Sequence, residues 1–391
     1  MGNVQDYLTW RGDLSFAQSS FNEVDSLILT ELTYMDFSEV VPAPGGGSLP
    51  FSEVCRLCFE KRPYAKNALG LLLPDEIQDL LRQAGASVRF ASVQVSGYVN
   101  EIDEEAEKQF AALTFDVTEN LRYVSFRGTD DTLVGWKEDC NMSFCFPVPS
   151  HVAAQAYWTR AAAERPEAEL IVGGHSKGGN LAMYAAAFGP EAALERTRLV
   201  YNHDGPGFPT PDIAGKVYRR LGDKLLNSIP EASIVGLLME FRDQFRIVRS
   251  NAKGPMQHNG LSWQVKGPSF DVLTEEPKAV KRKKRTLHAW LREMDLERRK
   301  EMVENLFALR KNVEAKTLLE LFKNPTQTIP ALFASYDKET REVLRTSFKL
   351  LFREEQSAFQ QALKEDQKDF KETISENIQG VLGSLRSSKK E

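Results

Sequence analysis

The feature that most constrains this chain is the succession of an apolar run, a glycine-rich turn and an alanine-rich run at 169–187 (ELIVGGHSKGGNLAMYAAA). The apolar run has the length of a buried strand, and the alanines favour a helix. Between them, Ser176 is flanked by Gly174 and Gly178 in the G-x-S-x-G spacing of a nucleophile elbow. So tight a turn forces the serine toward a positive φ and excludes bulky neighbours, which explains both glycines. The sequence therefore predicts a strand, a reactive serine and a helix in direct succession.

The patterns on either side of this turn predict the fold class. Polar and apolar residues alternate from residue 87, which is typical of strands, and beyond about residue 150 strand patterns alternate with helix patterns. Such alternation indicates a mostly parallel sheet with helices on both faces. We predict an N-terminal helical segment at 1–86, an α/β core at 87–275 and a charged, all-helical C-terminal extension at 276–391.

Three details of this organisation are specific enough to check. Apolar residues at helical spacing predict a helix within 21–37, with Asn22 as its N-terminal cap. The pair Glu119-Asn120 lies between two alternating runs and predicts a hairpin turn. The segment 337–385 predicts one or two long amphipathic helices.

Composition excludes several classes of protein. The 391 residues are 42% hydrophobic and 27% charged, as in ordinary globular proteins, and the net charge of -5 gives no overall positive field for nucleic acid. The chain shows neither a secretory signal pattern nor an apolar run of about 18 residues, so we expect no transmembrane segment and a cytoplasmic location. Four cysteines in a chain of this length indicate reduced thiols, and no metal or other cofactor is implied.

One strong basic block, KRKKR, extends from Lys281 to Arg285. A solvated linker or helix start is the simplest interpretation, and contact with anionic lipid or nucleic acid is the alternative. We expect no nucleic-acid partner, and we leave open a peripheral membrane contact through this block. The helical C-terminal extension is a candidate surface for a protein partner or for oligomerisation.

A serine hydroxyl attacks efficiently only when a base removes its proton, so the elbow predicts a histidine further along the chain. His258 follows a strand-like segment and a loop rich in turn residues. A base that comes after the serine in the chain is expected in such a loop after a late strand. His203, at the end of an earlier strand, is the alternative base. For the acid that orients the base we favour Asp204, which precedes a Gly-Pro-Gly turn, and Glu231, which ends the next strand, is the alternative.

Two groups are candidates for stabilising the oxyanion that forms during ester cleavage. The backbone N–H of Lys177 lies at the start of the helix after the serine, where the helix dipole favours negative charge. Thr129, in the strand exit FRGTDD, offers a backbone N–H and a hydroxyl.

These motifs also resemble a known family. FRGTDDTLVGWKED followed by GGHSKGGN resembles the class 3 lipase pattern of the α/β-hydrolase superfamily. Together with FNEVDSLIL, DGPGF and SIVGLL, the arrangement is similar to the bacterial Mbeg1-like family, a domain of unknown function. The resemblance implies an α/β-hydrolase fold, with Ser176 as nucleophile, His258 as base, and Thr129 and Lys177 lining the oxyanion hole.

The chain departs from the lipase pattern at two positions. Class 3 lipases usually take the acid from an aspartate after the strand that follows Asp204, and this chain has Glu231 there. They also commonly have an apolar residue in place of Lys177, so a cation beside the nucleophile raises the hypothesis of an anionic head group in the substrate.

We therefore expect a serine hydrolase that cleaves the ester bond of a small acyl or lipid-like substrate. Two alternatives remain open from the sequence. The chain could be a non-catalytic hydrolase-fold scaffold that binds a partner, or an acyltransferase or thioesterase that uses the same acyl-enzyme. The fold alone does not distinguish them, because one fold hosts many reactions.

Overall fold

The computed structural model describes residues 2–66, 68–69, 73–240 and 245–308. The helices in this part of the chain are α1 (Val4–Arg11), α2 (Glu23–Leu32), α3 (Phe51–Lys61), α4 (Glu76–Ala86), α5 (Leu133–Asn141), α6 (Pro149–Glu164), α7 (Lys177–Phe188), α8 (Glu191–Arg196), α9 (Pro211–Leu221), α10 (Lys278–Glu293) and α11 (Leu296–Ala308). None of the helices within these residues is both long enough and apolar enough to cross a membrane.

The strands form one large sheet and one small hairpin. They are β1 (Ser48–Pro50), β2 (Gln94–Asp103), β3 (Lys108–Thr118), β4 (Leu121–Phe126), β5 (Glu169–His175), β6 (Thr197–His203), β7 (Leu225–Pro230), β8 (Arg246–Val248), β9 (Val265–Lys266) and β10 (Ser269–Phe270). Strands β1 to β8 lie side by side in chain order; β1 to β4 are antiparallel neighbours, and β4 to β8 are parallel. The predicted α/β fold, a sheet with a parallel half and helices on both faces, is confirmed.

Alternating side chains on the central strands supply a hydrophobic core on each face of the sheet. On β4, Tyr123 belongs to the core that contains apolar residues of α1 to α4, and Val124 belongs to the core that contains apolar residues of α6, α7 and α9. The same alternation is repeated by Ile171 and Val172 on β5. Because successive side chains of a strand point to opposite faces, these doubly buried strands read as continuous apolar runs in the sequence.

The predicted helix cap at Asn22 and the predicted hairpin turn at Glu119-Asn120 agree with the structure. Helix α2 begins after Asn22, whose side-chain oxygen accepts hydrogen bonds from the backbone N–H groups of the first turn. The hairpin at Glu119-Asn120 joins β3 to β4. The predicted helices at 337–385 lie outside the described residues. The division into three segments stays a prediction, although α2 packs directly into the core beneath β4 and β5.

The parallel strands bring distant parts of the chain to one edge of the sheet. His175, at the end of β5, pairs with His203 at the end of β6, and β7 continues the same parallel register beside β6. The carboxyl ends of parallel strands meet at the same edge, which is where α/β proteins place their ligand sites. Residues that follow β5, β6 and β8 are therefore close in space despite their separation in sequence.

Candidate active site

The turn between β5 and α7 has the geometry of a nucleophile elbow. Ser176 has φ of 56° and ψ of -131°, a conformation that residues other than glycine rarely adopt. A Cβ on Gly174 would lie 2.1 Å from the backbone of Gly178, and a Cβ on Gly178 would lie 2.1 Å from the carbonyl oxygen of Phe126. Both glycines are therefore required by close backbone contacts, as the spacing predicts.

Ser176 differs from its neighbours in exposure. All other residues from Leu170 to Ala187 are buried, whereas Ser176 is partly exposed. Its carbonyl oxygen accepts the backbone N–H of Gly179 in the first turn of α7, so the helix begins directly at the serine. The elbow thus presents one hydroxyl to the outside, beside the positive end of the α7 dipole.

The loop after β8 brings His258 to the residue that follows β6. Nδ1 of His258 lies 2.7 Å from Oδ2 of Asp204, a carboxylate with no exposed surface. Because a carboxylate only accepts, Nδ1 carries a proton and donates it to Asp204. The imidazole is 31% exposed, unlike the fully buried carboxylate that it contacts.

Asp204 is fixed in this orientation by the backbone and by two further donors. Its φ of 52° turns the chain sharply after β6. The other carboxylate oxygen, Oδ1, accepts the hydroxyl of Ser233 at 2.5 Å and the backbone N–H of Gly236 at 3.1 Å. Glu231 lies elsewhere: its carboxylate is 3.8 Å from Arg249 and is one-third exposed. Of the two sequence candidates, Asp204 is the one in contact with His258.

Two other histidines are held inside the fold. His203 bonds the hydroxyl of Ser26 at 2.9 Å, and burial lowers its pKa to about 3. His151 bonds the side-chain oxygen of Asn180 at 2.6 Å, and burial lowers its pKa to about 4. Both imidazoles are neutral at physiological pH and inaccessible, which removes His203 as the alternative base.

His175, which directly precedes the serine, supports the loop that carries His258. Its Nε2 donates to the backbone carbonyl of His258 at 2.7 Å, and the hydroxyl of Tyr34 lies 3.1 Å from its Nδ1. Burial, followed by the nearby His258 ring, lowers the pKa of His175 well below its usual value. Buried Glu31 lies 3.7 Å from Nδ1, and burial raises its pKa to about 8. Neutral groups thus connect α2 to the candidate base.

Thr129 lies beside the elbow, and its hydroxyl is already engaged. The residue before it, Gly128, packs closely against the elbow: a Cβ on Gly128 would lie 3.1 Å from Cβ of Ser176. The Thr129 hydroxyl donates to Oδ2 of Asp139 on α5. Burial raises the pKa of Asp139 to about 6, against the opposing effect of the Lys177 cation. Because the Thr129 hydroxyl already donates its proton to Asp139, the backbone N–H is the donor of Thr129 that could face an oxyanion.

Comparison with known proteins places the chain in a family. A family model described as Mbeg1-like matches residues 84–308, which is more than half of the chain and contains Thr129, Ser176, Asp204 and His258. The chain belongs to the Mbeg1-like family. A search of curated proteins gave no match.

Several solved structures resemble this Mbeg1-like chain at low identity. The Rhizomucor miehei lipase propeptide complex is 15% identical with a TM-score of 0.32, and the alignment covers 49% of this chain and 63% of that chain. The M37 lipase is 14% identical with a TM-score of 0.34, covering 56% and 70%. The Lip2 lipase from Yarrowia lipolytica is 11% identical with a TM-score of 0.36, covering 65% and 86%. The aligned part is thus just under two thirds of the Rhizomucor miehei chain.

Lys177 does not place a cation at the mouth of the site. Its side chain is 1% exposed, and Nζ lies 2.8 Å from the carbonyl oxygen of Gln109, 3.1 Å from Glu138 and 3.6 Å from Asp139. Glu138 is itself buried and also accepts the backbone N–H of Ser150 at 2.8 Å. The hypothesis that this cation selects an anionic head group is therefore wrong. The side chain points into the protein, while the backbone N–H remains at the start of α7.

Replacing Lys177 with methionine is expected to lower the free energy of unfolding of the Mbeg1-like chain by about 3–5 kcal/mol, because Glu138 would be left buried without its cation. Urea unfolding followed by circular dichroism measures the loss. The exposed Lys216 on α9 supplies the control, and Lys216→Met should change stability by less than about 0.5 kcal/mol. Similar stability of the two variants would contradict a structural role for the Lys177 ammonium group.

Sequence reasoning missed the supporting residues of the site. Asp139, Ser233 and Tyr34 contact candidate site residues, but each lies on a different element. Nothing in their local sequence marks them, because their positions follow from how α2, α5 and the loop after β7 pack around the sheet edge.

Proposed function

We propose that this chain is a serine hydrolase that cleaves a carboxylic ester of an acyl or lipid-like substrate through an acyl-enzyme on Ser176. The observation that carries the proposal is a partly exposed serine, held at positive φ in an otherwise buried turn, at the same sheet edge as a His258–Asp204 pair. The chain order serine, aspartate, histidine is that of α/β-hydrolases.

In the proposed first half-reaction, Ser176 Oγ attacks the ester carbonyl carbon, and Nε2 of His258 takes the hydroxyl proton. Asp204 holds the ring by accepting from Nδ1 and stabilises the imidazolium that forms. The carbonyl oxygen becomes an oxyanion, for which the backbone N–H groups of Lys177 and Thr129 are the proposed donors. Collapse of this intermediate breaks the bond to the alkoxy oxygen, and His258 returns the proton to the leaving alcohol.

In the second half-reaction, water repeats the attack on the acyl-enzyme. His258 removes a proton from water, the acyl carbon passes through a second oxyanion, and the C–O bond to Ser176 breaks. Ser176 recovers its proton from His258, and the acid is released. Alcohols or thiols that compete with water at this step would indicate an acyltransferase or a thioesterase that uses the same acyl-enzyme.

His175 has a positioning role in this proposal. His175→Phe is expected to lower kcat about 100-fold with little change in KM, because the carbonyl of His258 loses its donor and the base moves by a fraction of an ångström. Tyr34→Phe is the milder comparison, since His175 would keep its bond to His258. Steady-state kinetics with a chromogenic ester measures both variants, and equal kcat for His175→Phe and wild type would contradict this role.

The experiment that tests the proposed function is hydrolysis of p-nitrophenyl esters by the purified full chain. We expect turnover of p-nitrophenyl acetate, butyrate or octanoate above the rate without enzyme, and a dependence of kcat/KM on acyl length that indicates the acyl site. A well-folded chain that hydrolyses none of the three would contradict an open esterase site and favour the scaffold alternative.

A further inference from the structure

The basic block of the sequence lies on α10, which has a cationic face and an apolar face. Lys278, Lys281, Arg282 and Arg285 are exposed and spaced at i, i+3, i+4 and i+7, so they lie along one side of the helix. On another side, Val280 and Leu287 are buried in a cluster with residues of β7 and β8. Six cations and no carboxylate occupy residues 278–285.

This helix is attached to the rim of the candidate active site. Nζ of Lys283 lies 3.2 Å from the carbonyl oxygen of Ala232, and the backbone N–H of Ala232 donates to the side chain of Gln257 at 2.7 Å. Gln257 directly precedes His258. Ala232 therefore joins the inner side of the basic helix to the loop that carries the candidate base, whereas the four exposed cations lie on the outer side of the helix.

The loop of His258 contributes an exposed apolar group on the same rim. Met256 is 55% exposed, and Lys253 on the same loop is also exposed. A single exposed methionine is ordinary by itself. Together with the cation of Lys253 on the same loop, however, a flexible apolar side chain suits the boundary between lipid head groups and acyl chains.

We propose that the cationic face of α10, formed by Lys278, Lys281, Arg282 and Arg285, binds the surface of an anionic lipid membrane. Charge complementarity is the first argument, since each cation near an anionic membrane strengthens binding about fivefold. The attachment of α10 to the loop of His258 is the second, because it keeps a membrane bound to the outer side of the helix within about 10 Å, one helix diameter, of that loop and gives the site access to membrane esters. Only this consequence, access to membrane esters, rests on the proposed function; the binding itself does not.

An anionic membrane explains these features better than a nucleic acid does. Phosphates of either partner would attract the cations, but a nucleic-acid duplex offers no apolar phase for Met256. The described helix also carries these cations in one short row near a candidate site for cleaving carboxylic esters, which are components of membrane lipids, whereas the esters of nucleic acids are phosphodiesters.

The test is sedimentation of the full chain with vesicles of phosphatidylcholine alone or of phosphatidylcholine mixed with phosphatidylglycerol. Wild type is expected to bind the anionic vesicles, and added salt should release it because salt screens the charges. The variant K281Q/R282Q/R285Q should bind about 100-fold more weakly. The control K216Q/R219Q/R220Q removes three exposed cations from α9 and should bind like wild type.

Three results would overturn the proposal: equal binding to both vesicle types, equal binding by the α10 variant and wild type, or binding to a DNA duplex without binding to anionic vesicles. The variant Ser176→Ala separates this proposal from the proposed function. It should bind anionic vesicles like wild type even though it lacks the candidate nucleophile, so loss of turnover and loss of membrane binding are distinguishable.

Discussion

Ser176→Ala is expected to lower kcat for ester hydrolysis about 10⁶-fold, the size of effect found when a serine hydrolase loses its nucleophile. The reason is structural: Ser176 is partly exposed at the elbow, and every other residue from Leu170 to Ala187 is buried. Any turnover that remains would come from binding and from the oxyanion donors, which the substitution leaves in place.

The measurement is kcat for the best p-nitrophenyl ester, with Ser143→Ala as the matched control. Ser143 is a partly buried serine whose hydroxyl donates to the carbonyl of Cys140, far in sequence from the elbow. This control should keep the wild-type kcat. If Ser176→Ala retained more than a small fraction of wild-type kcat, an acyl-enzyme on Ser176 would be excluded.

The substitution Asp204→Asn is expected to have the second largest effect, a loss of about 10⁴-fold in kcat. Oδ1 of Asp204 accepts from the backbone N–H of Gly236, so an asparagine would place its carbonyl oxygen there. Its NH₂ group would then face Nδ1 of His258 and donate to it. The ring would switch tautomer and protonate Nε2, the nitrogen that must accept the serine proton.

Glu231→Gln is the control for the same measurement. Glu231 lies on the next loop, where its carboxylate faces Arg249 and not His258. Its kcat should stay within about twofold of wild type, because an exposed ion pair contributes little. A larger loss in Glu231→Gln than in Asp204→Asn would contradict Asp204 as the acid and return the role to the position that the lipase pattern favours.

Local sequence was sufficient for the parts of the site that depend on local geometry. The conformation of Ser176 follows from a strand, a tight turn and a helix in direct succession, so the glycine spacing predicts its positive φ correctly. The cap at Asn22 and the hairpin at Glu119-Asn120 are likewise short-range features. The alternation of strands and helices was enough for the fold class.

The sequence favours Asp204 over Glu231 as the acid but does not decide between them. Both follow strands of the parallel sheet, and the sequence does not specify the path of the loop that carries His258. That path depends on long-range contacts, including the bond from His175 to the backbone of His258 and the bond from Gln257 to Ala232.

The direction of the Lys177 side chain is likewise not determined by the local sequence. Its position next to Ser176 suggests a cation at the site, yet its ammonium group is buried against Glu138 on α5. The first residue of a helix can direct its N–H toward a site and its side chain toward the interior. Only the packing of α5 against β3, which places Gln109 and Glu138 together, determines which arrangement holds.

The central claim is that Ser176 is a nucleophile activated by His258, and labelling with a fluorophosphonate probe tests it without knowledge of the substrate. Wild type, Ser176→Ala and His258→Ala would be treated side by side, and the modified residue identified by mass spectrometry. We predict one adduct on Ser176 in wild type, none in Ser176→Ala, and strongly slowed labelling in His258→Ala. A well-folded wild type that stays unlabelled under conditions where a known serine esterase reacts, or an adduct on another residue, would contradict the account.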